Sequence, residues 1–235
     1  MWVGVNIIGM PEPTTRSTYH HGDLRNALLA AGARLAERGG PDAVGVRAAA
    51  REVGVSPTAA YRHFENADDL LLGVKERAFQ ALTDAMRARL ATVPDTGDAG
   101  ETATRRLEAL GRAYVGIALA EPGLFRVAFC EKGALPSDDL PNALAMVAQV
   151  MDDLVAAGRL PAERRPLAEI AAWAAVHGVA RLALDGPLAN VAPELFAASV
   201  DRVIDMTLRD LTGLGSRRSA RSAGAADWQG DGTRR

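Results

Sequence analysis

The chain has 235 residues, of which 48% are hydrophobic and 24% charged, and its formal net charge is -2. That composition suits one large or two modest globular domains and excludes a chain that is basic throughout, so any contact with nucleic acid must come from a local patch. A single cysteine, Cys130, rules out an internal disulfide framework and fits a reducing compartment.

The opening stretch, MWVGVNIIGM, has no positively charged start, and Gly4, Asn6 and Gly9 interrupt its apolar run, so it does not read as a secretion signal. No later segment has the roughly 18 uninterrupted apolar residues of a membrane span, and a cytoplasmic protein is expected. Residues 1–18 are expected to be a flexible leader, with translation from Met10 as an open alternative.

Beyond the leader, apolar residues recur at helical spacing and strand alternation is nearly absent. Leu24, Leu28, Ala31 and Leu35 form one stripe, with Asp23 as a candidate cap and Gly39-Gly40-Pro41 as a stop. Val46, Ala49, Ala50 and Val53 then line a short helix ending at Gly54. Ser56 and Pro57 are well suited to cap and open the next. A long helix is expected over about 68–90, followed by a turn-rich break at 94–100. Leu107, Leu110, Tyr114 and Ile117 mark a further helix, and a shorter one carries Phe125 and Phe129. Residues 131–141 read as a loop, and the last helices as 142–157, 162–184 and 193–211.

The expected fold is therefore all-α, with about nine helices. A three-helix unit over 19–66 precedes a larger helical bundle over 67–212, which opens with a connecting helix over 67–93. The tail over 213–235 has almost no apolar content and is expected to be disordered.

The segment GVSPTAAYRHF, residues 54–64, carries the most information. On a helical wheel Ala60 and Phe64 share an inner side, while Thr58, Ala59 and Arg62 point outward with Tyr61 and His63 beside them. A helix that merely solubilises a surface would carry Glu and Lys there. Small side chains, one arginine and two polar rings after a glycine turn instead match a helix-turn-helix, whose second helix enters the DNA major groove. The Thr58 and Ala59 methyls suit a thymine methyl, and Tyr61 and His63 suit phosphate oxygens. Arg47, at the start of the preceding helix, would meet the backbone beside free N–H groups. The competing reading is a structural lid in which Tyr61 is half-buried core.

Residues 19–72, which contain GVSPTAAYRHF and the acidic-leucine segment after it, resemble the DNA-binding domain of TetR-type transcriptional regulators. Residues 171–188, AAWAAVHGVARLALDGPL, resemble the Trp-His-Gly helix of one subgroup of that family, with Trp173, His177 and Gly178 at the motif positions. The resemblance implies an all-α homodimer that binds a palindromic operator, usually represses, and is released by a small molecule held in the larger domain. It assigns Arg47, Thr58, Tyr61 and His63 to phosphate or base contacts and Pro57 and Ala59 to variable recognition positions; the residue reading itself adds Ser56, the cap, and Arg62, on the outer side, to the expected DNA-binding set. Two positions depart from the family pattern. Gly45 stands where Ser or Thr usually caps the second helix, and Asn66-Ala67 lacks a common phosphate-binding lysine, which predicts a shallower salt dependence.

In the larger bundle, Tyr114, Phe125, Phe129, Met146, Trp173 and His177 are candidates to line a mostly apolar ligand pocket. For His177 a helix-packing histidine is an equally open reading. Arg181, Phe196, Val200, Val203, Ile204 and Leu208 are candidates for a dimer interface, against the alternative of a fully buried last helix. No metal-ligand cluster, catalytic set or cofactor is expected. Two other functions stay in view: a helical small-molecule-binding protein without DNA activity, and an enzyme that uses His177.

Overall fold

The computed structural model describes residues 21–132 and 139–212. The expected leader and tail lie outside these residues. Among them are nine α-helices and two short 3-10 turns, and no strand. In chain order the helices are α1 His21–Gly39, α2 Val46–Val53, α3 Pro57–Tyr61, α4 Ala67–Ala91 and α5 Ala99–Ala120, then α6 Pro122–Ala128, α7 Asp139–Ala156, α8 Ala168–Asp185 and α9 Pro193–Leu211.

The chain forms two compact units. The first holds the described residues up to Ala78 plus the segment opening at Gly123; the second holds Phe79–Pro122 and everything described from α7 onward. The division therefore falls inside α4, later than the boundary at 66/67 expected from the sequence. Segment 123–132 belongs with the first unit, although it lies far along the chain.

In the first unit, α1, α2 and α3 pack on one another and on the start of α4. Leu28, Ala31, Ala49, Ala50, Ala60, Phe64, Leu70, Leu71 and Val74 are all essentially inaccessible. Helix α6 joins this core through Val127 and Cys130. Lys75, fully buried, donates from Nζ to the Cys130 carbonyl at 2.9 Å. Such burial of a lysine requires a hydrogen-bonded head group, and this one ties α4 to the end of α6. A side chain at Gly123 has no room, because a Cβ there would lie 2.3 Å from the Glu37 Cα. At the start of α1, Asp23 already lies within the helix rather than at its cap.

In the second unit, α5 packs against α7, α8 and α9, and α8 against α7 and α9. From α4, Leu82 and Met86 are buried in this unit. Asp98 caps α5 by accepting the Glu101 N–H at 2.9 Å, and its other oxygen takes Arg159 at 2.9 Å.

Helix α8 departs from expectation. It begins at Ala168, not near 162, and a 3-10 turn occupies Ala162–Arg164. Pro166 lacks an N–H and its ring collides with the preceding turn, so one helix cannot run through it. The chain reverses at Leu167, which takes a left-handed conformation with φ 61°. Arg165 holds the junction by reaching Asp152 of α7 and Glu169 of α8, each at 2.6 Å. Helix α7 also starts earlier than expected, since Pro141 is tolerated in a first turn.

Gly123→Ala should destabilise the protein by about 1–3 kcal/mol, because the clash is with backbone that cannot rotate away. Gly116→Ala, whose Cβ would meet nothing within 4 Å, should be neutral or slightly stabilising. Urea unfolding of the two variants side by side checks the contrast.

Candidate nucleic-acid interface and buried cavity

Helix α2 ends at Gly54, whose φ of 80° and ψ of 28° place it in the left-handed region. There its N–H meets the carbonyls of Ala50 and Arg51, and the Val55 N–H reaches Ala50 at 3.0 Å. Glycine adopts this geometry without steric cost, and it aims the chain sharply into α3. Ser56 Oγ accepts the Ala59 N–H at 3.2 Å and Pro57 stands in the first turn. Gly45 provides no side-chain cap to α2.

A five-residue helix is not stable alone. Ala60 and Phe64 anchor this one from beneath, and the Arg25 guanidinium lies 5.1 Å above the Phe64 ring. The outer side follows the wheel. Ser56, Pro57, Thr58, Tyr61 and Arg62 are exposed, and Ala59 and His63 are half-buried. Tyr61 is 43% exposed, which argues against half-buried core. Arg47, on the first turn of α2, is exposed as well.

The arginines divide into two groups. Arg34 and Arg38 of α1 both grip Glu52 of α2 at 2.6 Å. The Arg34 hydrogen bond, aided by Arg38, holds the Glu52 carboxyl below the usual carboxylate range despite some desolvation. That pair of cations clamps α1 to α2. Arg47, Arg51 and Arg62 form no ion pair among the described residues and stay available to an outside anion. At the start of α4, Asn66 accepts the Asp69 N–H and Asp69 accepts the Glu65 N–H, both at 2.9 Å. Asn66 thus serves as a helix cap, and Ala67 beside it is exposed.

The second unit holds a partly open cavity of about 50 Å³ between α4, α5, α7, α8 and α9. Its wall includes Leu82 and Met86 of α4, Leu110 and Tyr114 of α5, Val147 of α7, Trp173 and Val176 of α8, and Ile204, Thr207 and Leu208 of α9. At one end a polar relay is set into this wall. Trp173 Nε1 donates to Tyr114 Oη at 2.9 Å, and Tyr114 Oη pairs with His177 Nδ1 at 2.7 Å. Burial raises the Tyr114 phenol well above its ordinary range, so it stays protonated. Burial, and then the Arg181 charge, push the His177 imidazole below its ordinary value near 6.5.

Of the six residues expected to form the pocket, Tyr114 and Trp173 line it. His177 stands behind Tyr114, and Met146 is half-buried but not part of the wall. Phe125 and Phe129 are not part of this wall: their rings lie tilted to one another with centroids 4.9 Å apart, on and beside α6, in the segment grouped with the first unit.

The residues expected at a dimer interface differ in exposure. Val200, Ile204 and Leu208 are buried in the subunit's own bundle, and Ile204 and Leu208 face the cavity. Phe196 and Val203 are half-buried, and Arg181 pairs with Asp185 at 3.1 Å. The apolar residues that α8 and α9 do expose are Ile170 (39%), Leu182 (45%), Leu195 (62%) and Met206 (57%). Helical phase explains the switch. Positions 200, 204, 208 and 211 make one stripe that α5 and α8 cover, while Met206 falls on the other side. Leu82, Met86 and Val147 carry no distinguishing signal in the sequence, because a cavity wall has the same apolar spacing as a filled core.

A helix-turn-helix unit followed by an all-α bundle with an apolar cavity defines a class of one-component DNA-binding regulators. The family models agree. Residues 28–74 match "Bacterial regulatory proteins, tetR family". Residues 107–207, which contain Trp173, His177 and Gly178, match "Tetracyclin repressor-like, C-terminal domain". The chain belongs to the TetR family and is a DNA-binding transcriptional regulator. Among solved structures it resembles a Rhodococcus sp. RHA1 protein of unknown function at 30% identity and a TM-score of 0.70, over 84% of this chain and 100% of that one. A TetR-family regulatory protein from Rhodococcus RHA1 matches at 20% identity and a TM-score of 0.61, over 80% of this chain and 96% of the other. A TetR-family transcription regulator from Marinobacter aquaeolei VT8 matches at 20% identity and 0.57, over 77% and 94%. These last two likenesses are of fold. No curated protein matches the sequence.

His177 titration should be visible in stability. With the folded value depressed, the unfolded chain takes the proton first, so stability is full above the ordinary value near 6.5 and falls as pH drops through it toward the folded value. The melting temperature of His177→Gln, followed from about pH 7.5 to about 5.5, should fall less than that of the wild type.

Proposed function

We propose that the protein represses transcription in the cytoplasm by binding a palindromic operator as a homodimer, and that a small molecule in the bundle cavity releases it. The observation that carries this reading is the bare outer side of α3: a capped, anchored helix with Thr58, Tyr61 and Arg62 exposed and nothing of the described chain over them. Thr58 and Ala59 are the residues assigned to base edges, with Pro57 at the leading end. Arg47, Ser56, Tyr61, Arg62 and His63 are assigned to phosphates around them.

Dimerisation is proposed through α8 and α9, with contacts revised to the exposed side. Ile170, Leu182, Leu195 and Met206 supply apolar area, and Ala171, Ala174 and Gly178 keep the outer side of α8 low enough for a second helix to approach. Two recognition helices related by a two-fold axis then match half-sites about 34–36 Å apart. Release is proposed to run along α4. Leu82 and Met86 stand in the cavity wall, and the same unbroken helix carries Leu70, Leu71 and Val74 in the core beneath α3. A ligand that pushes on the first pair shifts the population of binding-competent dimers.

Footprinting on the DNA flanking the gene identifies the operator and supplies the probe. Arg47→Ala should weaken binding to operator and unrelated DNA alike, and lower the salt slope by about one for each phosphate that is no longer neutralised. Tyr61→Ala should also weaken binding. Thr58→Ala should instead cost operator preference by about 1 kcal/mol or more. Unchanged affinity in all three variants would remove α3 from the interface.

Leu182→Glu should give a monomer in sedimentation equilibrium and lose operator binding. A stable Leu182→Glu dimer would move the interface elsewhere.

A further inference from the structure

We infer that the bundle cavity selects an uncharged, largely apolar small molecule and rejects both carboxylates and amines of the same shape. The inference rests on the reading of this cavity as the effector site and specifies the chemistry that site accepts.

The wall contains no Asp, Glu, Lys, Arg or His. Its few polar groups are turned toward the protein. Trp173 Nε1 donates to Tyr114 Oη at 2.9 Å, Tyr114 Oη pairs with His177 at 2.7 Å, and Thr207 Oγ1 donates to the Val203 carbonyl at 2.8 Å. A carboxylate placed here would find neither a cation nor a cluster of uncommitted donors, and burying an uncompensated charge is strongly unfavourable. The nearby Arg181 does not answer that need, being paired with Asp185 at 3.1 Å.

An amine meets the opposite difficulty. Aromatic faces can attract a cation, and Trp173 and Tyr114 present two. Yet the wall holds no carboxylate, and Arg181 and Asp185 beside it are paired with each other, so nothing there holds an ammonium by charge. An ammonium buried there would stay uncompensated, at the same kind of cost as the carboxylate.

Size narrows the class further. A cavity of about 50 Å³ is well below the ~300–1,000 Å³ of pockets for drug-sized ligands. Water gains little in it, since a buried water needs about two to four polar partners. An apolar guest regains dispersion contacts that the walls lack. A guest larger than the free space must displace side chains, and the long, flexible Met86 is the easiest to move.

The test uses the full-length protein and three ligands of one shape: cyclohexanol, cyclohexanecarboxylate and cyclohexylammonium. Binding is read by calorimetry and by the rise in melting temperature that mass action requires. Cyclohexanol is expected to bind at least ten-fold more tightly than either charged analogue. Ala172→Leu, which fills the cavity from α8, should abolish that binding, with the milder Ala143→Val as the second variant if the first does not fold. Equal or tighter binding by a charged analogue, or no binding by cyclohexanol, overturns the inference. Operator retention is measured in parallel. Binding of cyclohexanol without release supports the ligand class and refutes the effector role, whereas release by a charged analogue alone overturns the class and keeps that role.

Discussion

The structure depends on how a helix too short to stand alone is held in place. Helix α3 has five residues, less than half the length at which helices become marginally stable in water. Three devices replace length: the left-handed turn at Gly54, the Ser56 cap, and the burial of Ala60 and Phe64. The cap contributes about 1 kcal/mol, and burial of a phenylalanine about 2–3 kcal/mol. Because all three act from below or from the ends, none of them occupies the outer side. Stability and an open surface, which usually compete for the same residues, are thereby separated. The Glu52 clamp works in the same sense, since it fixes α1 to α2 with arginines that would otherwise compete for anions on the surface.

The second unit has the complementary problem of leaving a space inside without losing the bundle. Its polar relay of Trp173, Tyr114 and His177 satisfies an indole nitrogen, a phenol oxygen and an imidazole nitrogen at one end of the wall. A relay left half-paired in so apolar a place would be costly. Paired as it is, it holds the rings in one arrangement. His177 is half-buried, and its bond to Tyr114 puts it behind a residue of the cavity wall.

Legibility in the sequence varies along the chain for physical reasons. The helix-turn-helix is readable almost residue by residue, because turns, caps and a short amphipathic helix are local devices with local signatures. Gly54, Ser56-Pro57 and the inner pair Ala60 and Phe64 all stand where spacing puts them. The start of α8 is different: apolar spacing alone carries the helix back to about 162, and the break at Pro166 outweighs it. Phe125 and Phe129 stand outside the expected wall, in the segment grouped with the first unit, since an aromatic side chain favours burial without naming a partner.

By itself the sequence determined the number and approximate bounds of the helices, the helix-turn-helix and the outward set on α3, since each follows from backbone preferences acting over a few residues. Only the tertiary structure decided that α6 belongs with the first unit, which apolar residues wall a cavity rather than fill a core, and which side of α9 stays exposed. Those outcomes depend on packing between segments far apart in the chain, where a side chain's partner is chosen by shape and available space. Hydrophobicity, being the same toward every apolar neighbour, carries no record of that choice.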